Sequence, residues 1–92
     1  MRVVSIEHEP GRFFVRVGEL EAFLAYERRD GVLDVRSTFT PPALRGRDVA
    51  ARLTAAAVAY AQAEGLKLRP TCSYTRQYIE RHPELHALRA ES

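Results

Sequence analysis

Closely spaced turn signals in the first forty residues constrain this chain most. Glu9-Pro10-Gly11-Arg12, Gly18-Glu19 and Arg29-Asp30-Gly31 each pair a glycine with a proline or a charged residue, the chemistry of a tight hairpin. Between them, Phe13-Phe14-Val15-Arg16-Val17 is aromatic and β-branched and reads as a strand. Residues 20–28 have helical propensity, but two tight turns confine them and they carry Phe23 and Tyr26, so a strand is expected there too. Residues 2–8, with Val3, Val4 and Ile6, suit a first edge strand. From Val32 to Thr40 the residues alternate. A regular strand would put Leu33, Val35, Ser37 and Phe39 on one face and Asp34, Arg36 and Thr38 on the other. Connections this short permit little besides four consecutive antiparallel strands.

The pattern then changes. Pro41-Pro42 ends the fourth strand, and residues 47–64 carry Val49, Leu53, Ala56, Ala57 and Tyr60 at helical spacing. Eight alanines in that stretch let a helix sit close to a sheet, and Gly65 is a stop signal. Residues 66–72 read as a fifth strand, parallel to the fourth because a helix joins them. Ser73 or Thr75 can cap a last helix bearing Tyr78 and Ile79. Pro83 interrupts that helix, and Glu84 to Arg89 form a final turn. The expected class is α+β: a mixed sheet of four antiparallel strands and a parallel fifth, with helices packed on it.

Bulk properties narrow the function. Ninety-two residues suit one domain, here residues 1–92. The net charge of +2 comes largely from scattered arginines, so clustered charge of the kind that grips nucleic acid is missing. A lone cysteine, Cys72, excludes an internal disulfide. No metal site is expected, since Pro83 spoils the helical face that His82 and His86 would share. No apolar run approaches the roughly 20 residues of a membrane span. Charges at Glu7 and Glu9 interrupt what a signal peptide would need, so a cytoplasmic location is the expectation.

The chemistry concentrates after the fourth strand. In Pro42-Ala-Leu-Arg-Gly-Arg-Asp-Val-Ala50 a basic, glycine-containing turn leads into a helix. The first N–H groups of a helix have no intrahelical partner, and the macrodipole makes that end partly positive. Arg45, Gly46, Arg47, Asp48, Val49 and Ala50 therefore form a candidate phosphate cradle. Cys72 ends a strand just before another helix, a position that favours thiolate. It reads as a candidate nucleophile or as a small buried apolar residue.

Two segments resemble a known family. Arg45-Gly-Arg-Asp-Val-Ala50 resembles the acetyl-CoA motif Gln/Arg-x-x-Gly-x-Gly/Ala of the GNAT acetyltransferase superfamily. Pro70-Thr-Cys-Ser-Tyr-Thr-Arg-Gln-Tyr-Ile-Glu-Arg-His-Pro-Glu84 looks like the signature of its very small, short members. The resemblance covers nearly the whole chain. It implies acetyl-CoA held between strands four and five, with pantetheine met by the backbone of Phe39 and Thr40 and the diphosphate by residues 45–50. Pro41 and Pro42 lack N–H groups, which fits that division. The resemblance also implies that Tyr78 acts as the acid for the departing CoA thiolate, with Tyr74 as the substitute; otherwise Tyr78 is a core aromatic. Asp48 stands where the motif has its central glycine, and Ser37 stands where short members often carry a histidine. The short turn between the first two strands leaves the cleft open, which implies a large amine acceptor such as a protein or polyamine. The expected function is a minimal N-acetyltransferase. The alternatives are a CoA-binding or interaction module without turnover and a small nucleic-acid binder.

Overall fold

A computed structural model describes residues 5–90. Five strands, β1 (Glu7–Glu9), β2 (Arg12–Val17), β3 (Leu20–Arg29), β4 (Val32–Phe39) and β5 (Lys67–Pro70), form one sheet in the order β1-β2-β3-β4-β5. The first four run antiparallel, and β5 joins β4 in parallel. Helix α1 (Val49–Glu64) makes the crossover, and α2 (Ser73–Glu80) follows β5. The expected α+β class and mixed sheet are therefore observed.

Several boundaries differ from the sequence reading. The first strand begins at Glu7, where the ladder starts with Glu7 opposite Phe14; residues 2–4 of the expected strand lie outside the described residues. Helix α1 starts at Val49 rather than at residue 47, because Asp48 is left-handed (φ 60°, ψ 21°) and cannot extend a helix backwards. The helix ends as expected at Gly65 (φ 69°), where the Leu66 N–H donates to the Ala61 carbonyl at 2.8 Å. The last helix is preceded by Cys72, and neither Ser73 nor Thr75 caps it. After Pro83 the chain makes 3-10 turns to Leu88.

The largest departure lies in β4. Tyr26 pairs with Val35 and Ala25 with Ser37, so Arg36 is an extra residue, a β-bulge. The bulge reverses the alternation beyond it. Leu33 and Val35 face the core as expected, but Thr38 then joins their side, opposite buried Leu24, while Ser37 and Phe39 turn to the other face.

The core lies on one side of the sheet. Phe13, Val15, Ala22, Leu24, Tyr26, Leu33 and Val35 bury there against Leu53, Ala57, Val58 and Ala61 of α1. None of the strand residues on the opposite face is buried. Phe14, Phe23 and Phe39 sit there, with the Arg12 guanidinium 4.4 Å from the Phe14 ring centroid and that of Arg16 at 5.2 Å. Arg12 also bridges Glu9 at 2.6 Å and Glu21 at 2.8 Å.

Two ladders define the geometry of the site. The β3–β4 ladder continues to Phe39, but the β4–β5 ladder stops at Val35 opposite Pro70. The next donor due toward β4, the Thr71 N–H, turns back to the Arg69 carbonyl at 3.1 Å instead. The last tie between the two chains is the Cys72 N–H to the Val35 carbonyl, at 2.9 Å. Among the described residues, 36–39 therefore keep one backbone edge unpaired.

Leu24→Ala, which empties a fully buried position, should cost about 2–5 kcal/mol. Phe39→Ala removes a side chain that is 46% exposed and should cost less than about 1 kcal/mol. Urea melts of the two variants check both values, and comparable losses would contradict the assignment of core and outer faces.

Candidate functional site

The open edge of β4 runs into a cavity of about 360 Å³ lined by Thr40, Leu44, Arg45, Gly46, Asp48, Val49, Ala50, Ala51 and Tyr74. The local sequence builds it. Pro42 starts a one-turn 3-10 helix, and Leu44, 2% exposed, anchors that turn in the core. Gly46 (φ 82°) and Asp48 (φ 60°) then take left-handed backbone, which swings the chain into α1. A β-carbon at Gly46 would meet nothing within 4 Å, so its requirement is conformational rather than steric.

The amides at this helix start are open. The first helical hydrogen bond runs from the Arg52 N–H to the Asp48 carbonyl at 3.0 Å, so Val49, Ala50 and Ala51 precede any intrahelical acceptor. The Asp48 side chain makes no cap hydrogen bond, although aspartate commonly supplies one. Arg45 donates through Nε to the Thr40 carbonyl at 3.0 Å, which fixes its guanidinium at the cavity rim and leaves its other N–H donors free. Arg47 is exposed. This donor set of backbone amides, helix dipole and guanidinium fits a diphosphate.

The left-handed angle also gives Asp48 a structural meaning. The position calls for positive φ, which glycine adopts freely and aspartate tolerates. The family motif's glycine at this place thus answers a backbone demand, and Asp48 meets the same demand under mild strain while keeping its carboxylate at the cavity.

Cys72 sits just past β5, half-buried, with Sγ 3.0 Å from Thr38 Oγ1. The bulge at Arg36 makes that contact, since it brings Thr38 to the core side. Burial works against the thiolate. The Thr38 hydroxyl, then the backbone N–H groups of Thr75 and Tyr74 and the Thr75 hydroxyl, outweigh it, and the thiol's pKa lies below the ordinary value. The sulfur does not reach those amides closely enough to cap α2; their dipoles act at longer range. Thr75 is fully buried, and its Oγ1 has no hydrogen-bond partner among the described residues.

The candidate residues divide among several places. Thr40, Arg45, Gly46, Asp48, Val49 and Ala50 line the cavity together, and Tyr74 joins them across it. Cys72 and Tyr78 do not line it. Tyr78 lies in an adjoining cavity with its ring stacked on His82, centroids 4.2 Å apart. The side chain of Phe39 packs on Phe23 on the outer face, so only its backbone borders the open edge. Asp34 and Glu27 line a separate cavity with Arg36 and Arg69. The sequence reading missed Leu44, Ala51, Thr38 and Thr75. Helical spacing does not reach Leu44, which lies in the 3-10 turn before α1, and only the bulge reveals Thr38. Among the described residues no cluster of ligands suits a metal ion, and no helix is long and apolar enough to cross a membrane.

Thr38→Val should raise the Cys72 pKa and slow its alkylation by iodoacetamide at neutral pH by about tenfold, the worth of one hydrogen bond to a charged group. An unchanged pH–rate profile would show that Thr38 does not support the thiolate. Gly46→Ala should destabilise the fold by about 1 kcal/mol in thermal melts, through its positive φ.

The comparisons with known proteins agree with this geometry. The sequence model of the GCN5-related N-acetyl-transferase family matches residues 12–88. Protein NATD1 of Gallus gallus is 34% identical over 85 residues, covering 87% of this chain and 77% of its own length. Protein NATD1 of Homo sapiens is also 34% identical over 85 residues, covering 87% and 75%. The Danio rerio protein NATD1 is 32% identical over the same length. With a parallel β5 splayed from β4 and an uncapped helix start beside the opening, the chain belongs to the GCN5-related N-acetyltransferase family.

Proposed function

We propose that this chain binds acetyl-CoA along the open edge of β4 and transfers the acetyl group to an amine. One observation carries the reading: an unpaired strand edge leads directly into a cavity walled by uncapped helix amides. A chain of amide groups followed by a diphosphate is the ligand such a sequence of donors matches. Residues 36–40 offer backbone groups to the pantetheine arm. The amides of residues 46–51 and the guanidinium of Arg45 hold the diphosphate, and Arg47 adds charge at the rim. When bound, acetyl-CoA supplies an activated acyl thioester.

Cys72 is the nucleophile candidate. Thr38 favours its thiolate, and exchange between a thiol and a thioester is nearly thermoneutral, so accepting an acyl group costs Cys72 little. Tyr78 is assigned the protonation of the departing thiolate, since a phenol and a thiol bind protons with similar strength. With no carboxylate other than Asp48 lining the diphosphate cavity, and with Glu27 and Asp34 in a separate one, the acceptor amine has no evident base among the described residues. That observation favours a second reading, a CoA-binding module without turnover.

A thermal-shift titration with acetyl-CoA, paired with intact-mass analysis, separates the readings. The acetyltransferase reading expects stabilisation by acetyl-CoA and an acetyl adduct that Cys72→Ala removes. Stabilisation without acetylation of the protein or of any amine offered supports the module. No stabilisation at millimolar ligand refutes both. Asp48→Gly should tighten CoA about fivefold in calorimetric titrations, because it removes a carboxylate from the anion site. Unchanged or weaker binding would place the Asp48 carboxylate away from the diphosphate.

A further inference from the structure

Thr54 and Thr75 are both fully buried, but their hydroxyls are treated differently. Thr54 donates to the Ala50 carbonyl at 2.8 Å, the partner four residues back that a helical threonine commonly uses. Thr75 has no partner among the described residues. Its place in the chain explains why. Cys72 is the N-cap of α2, so Thr75 is the third helical residue, the one whose side chain reaches back to the cap in a capping box. The backbone groups at that corner are taken. The Cys72 N–H donates to the Val35 carbonyl at 2.9 Å, and the Cys72 carbonyl accepts from the Arg76 N–H at 3.0 Å. The Thr71 carbonyl, four residues back from Thr75, accepts from the Arg76 guanidinium at 3.2 Å. What remains at the cap is the Cys72 sulfur.

We propose that Thr75 is a positioning residue for Cys72: its idle hydroxyl is the donor that engages the sulfur once the thiol has lost its proton. The inference deepens the reading of Cys72 as the nucleophile and rests on it. A thiol is a weak acceptor with one proton to place, and Thr38 Oγ1, 3.0 Å away, is partner enough for it. A thiolate is an anion that accepts from several donors at once. On ionisation the proton passes to water, Thr38 donates from β4 and Thr75 donates from α2. Thr75 thus favours one protonation state of the sulfur, because its hydroxyl is paired in that state and unpaired in the other. The same groups act on the thiol at rest. Burial pushes its pKa up, and the Thr38 hydroxyl, the N–H groups of Thr75 and Tyr74 and the Thr75 hydroxyl carry it below the ordinary value.

The charged side chains beside this corner are engaged elsewhere. Asp34 accepts from the Thr71 hydroxyl at 2.6 Å and from the Arg36 guanidinium at 3.2 Å, and Arg76 is held on the Thr71 carbonyl. Neutral donors therefore carry the thiolate. Because Thr75 is fully buried, bulk water does not substitute for its hydroxyl.

The pH dependence of Cys72 alkylation by iodoacetamide, measured on the full chain without CoA, tests this. Thr75→Val should move the midpoint of the profile up by about one unit and slow the reaction at neutral pH about tenfold, whereas Thr75→Ser, which keeps the hydroxyl, should stay within about twofold of the wild type. Thr54→Val, the same change at the partnered threonine, should leave the profile where it is. In acid, where Cys72 is protonated, Thr75→Val should melt no lower than the wild type, since the hydroxyl it lacks is unpaired there. An unchanged midpoint in Thr75→Val, an equal shift in Thr75→Ser, or a lower melt in acid would overturn the proposal and leave the acetyl-CoA reading intact. A shifted profile without an acetyl adduct would uphold the role of Thr75 and remove Cys72 from acyl transfer. Should Thr75→Val not fold, NMR on the wild type decides. The Thr75 β-carbon resonance should titrate with the alkylation midpoint, and a resonance that stays fixed counts against the proposal.

Discussion

The early end of the β4–β5 ladder is the constraint on which the rest of the molecule turns. Four residue pairs hold the two parallel strands, and then the Thr71 N–H, the next β5 donor due toward β4, turns back to the Arg69 carbonyl. A central strand with one free edge is an uncommon arrangement, because unpaired backbone groups are costly when buried and sticky when exposed. Here the other edge of the same stretch stays paired to β3 as far as Phe39. The backbone is therefore held rigid on one side and available on the other, which is what a ligand with its own amide groups requires.

Three local features convert that edge into a site. Pro41 and Pro42 stop the strand and begin the turn. Leu44 pins the turn to the core, so the amides that follow point from a fixed base. Asp48 adopts left-handed backbone and brings α1 in with its first N–H groups facing the opening. The bulge at Arg36 acts in parallel on the other wall, aiming Thr38 at Cys72. The left-handed turn and the bulge use local strain or an irregularity and add little to stability, whereas Leu44 is itself part of the core. The stability comes from the apolar face beneath α1, where Leu24, Leu33, Val35 and Leu53 are fully buried.

The sequence made most of the architecture readable, because turn chemistry and periodicity are local. Gly11, Gly18 and Gly31 divided the strands, and Gly65 stopped the helix where it was expected. The segment at residues 20–28, ambiguous by propensity, became β3 because the turns on either side left no room for a helix. The turn at residues 45–50 that leads into α1 was equally legible, since it depends on consecutive residues. The wall at Cys72 was not. Thr38 looked solvent-facing under strict alternation, and one extra residue in β4 reverses that, with no signature in the residues themselves. Helix caps misled for a related reason. Ser73 and Thr75 are good capping types, but Cys72 occupies the cap position and Thr75 is turned into the interior.

The abundance of arginine has a consequence for the outer sheet face. The guanidinium groups of Arg12 and Arg16 both sit over Phe14, and the carboxylates of Glu9 and Glu21 hold them in place. These side chains act as a thin roof over aromatic tiles, doing for that surface what a layer of helices does in thicker α+β proteins. A lysine ammonium, compact and strongly hydrated, would cover less of the ring and pair with fewer carboxylates. The bias in composition thus lets a chain this short leave half its sheet without a second helical storey and still stay wettable.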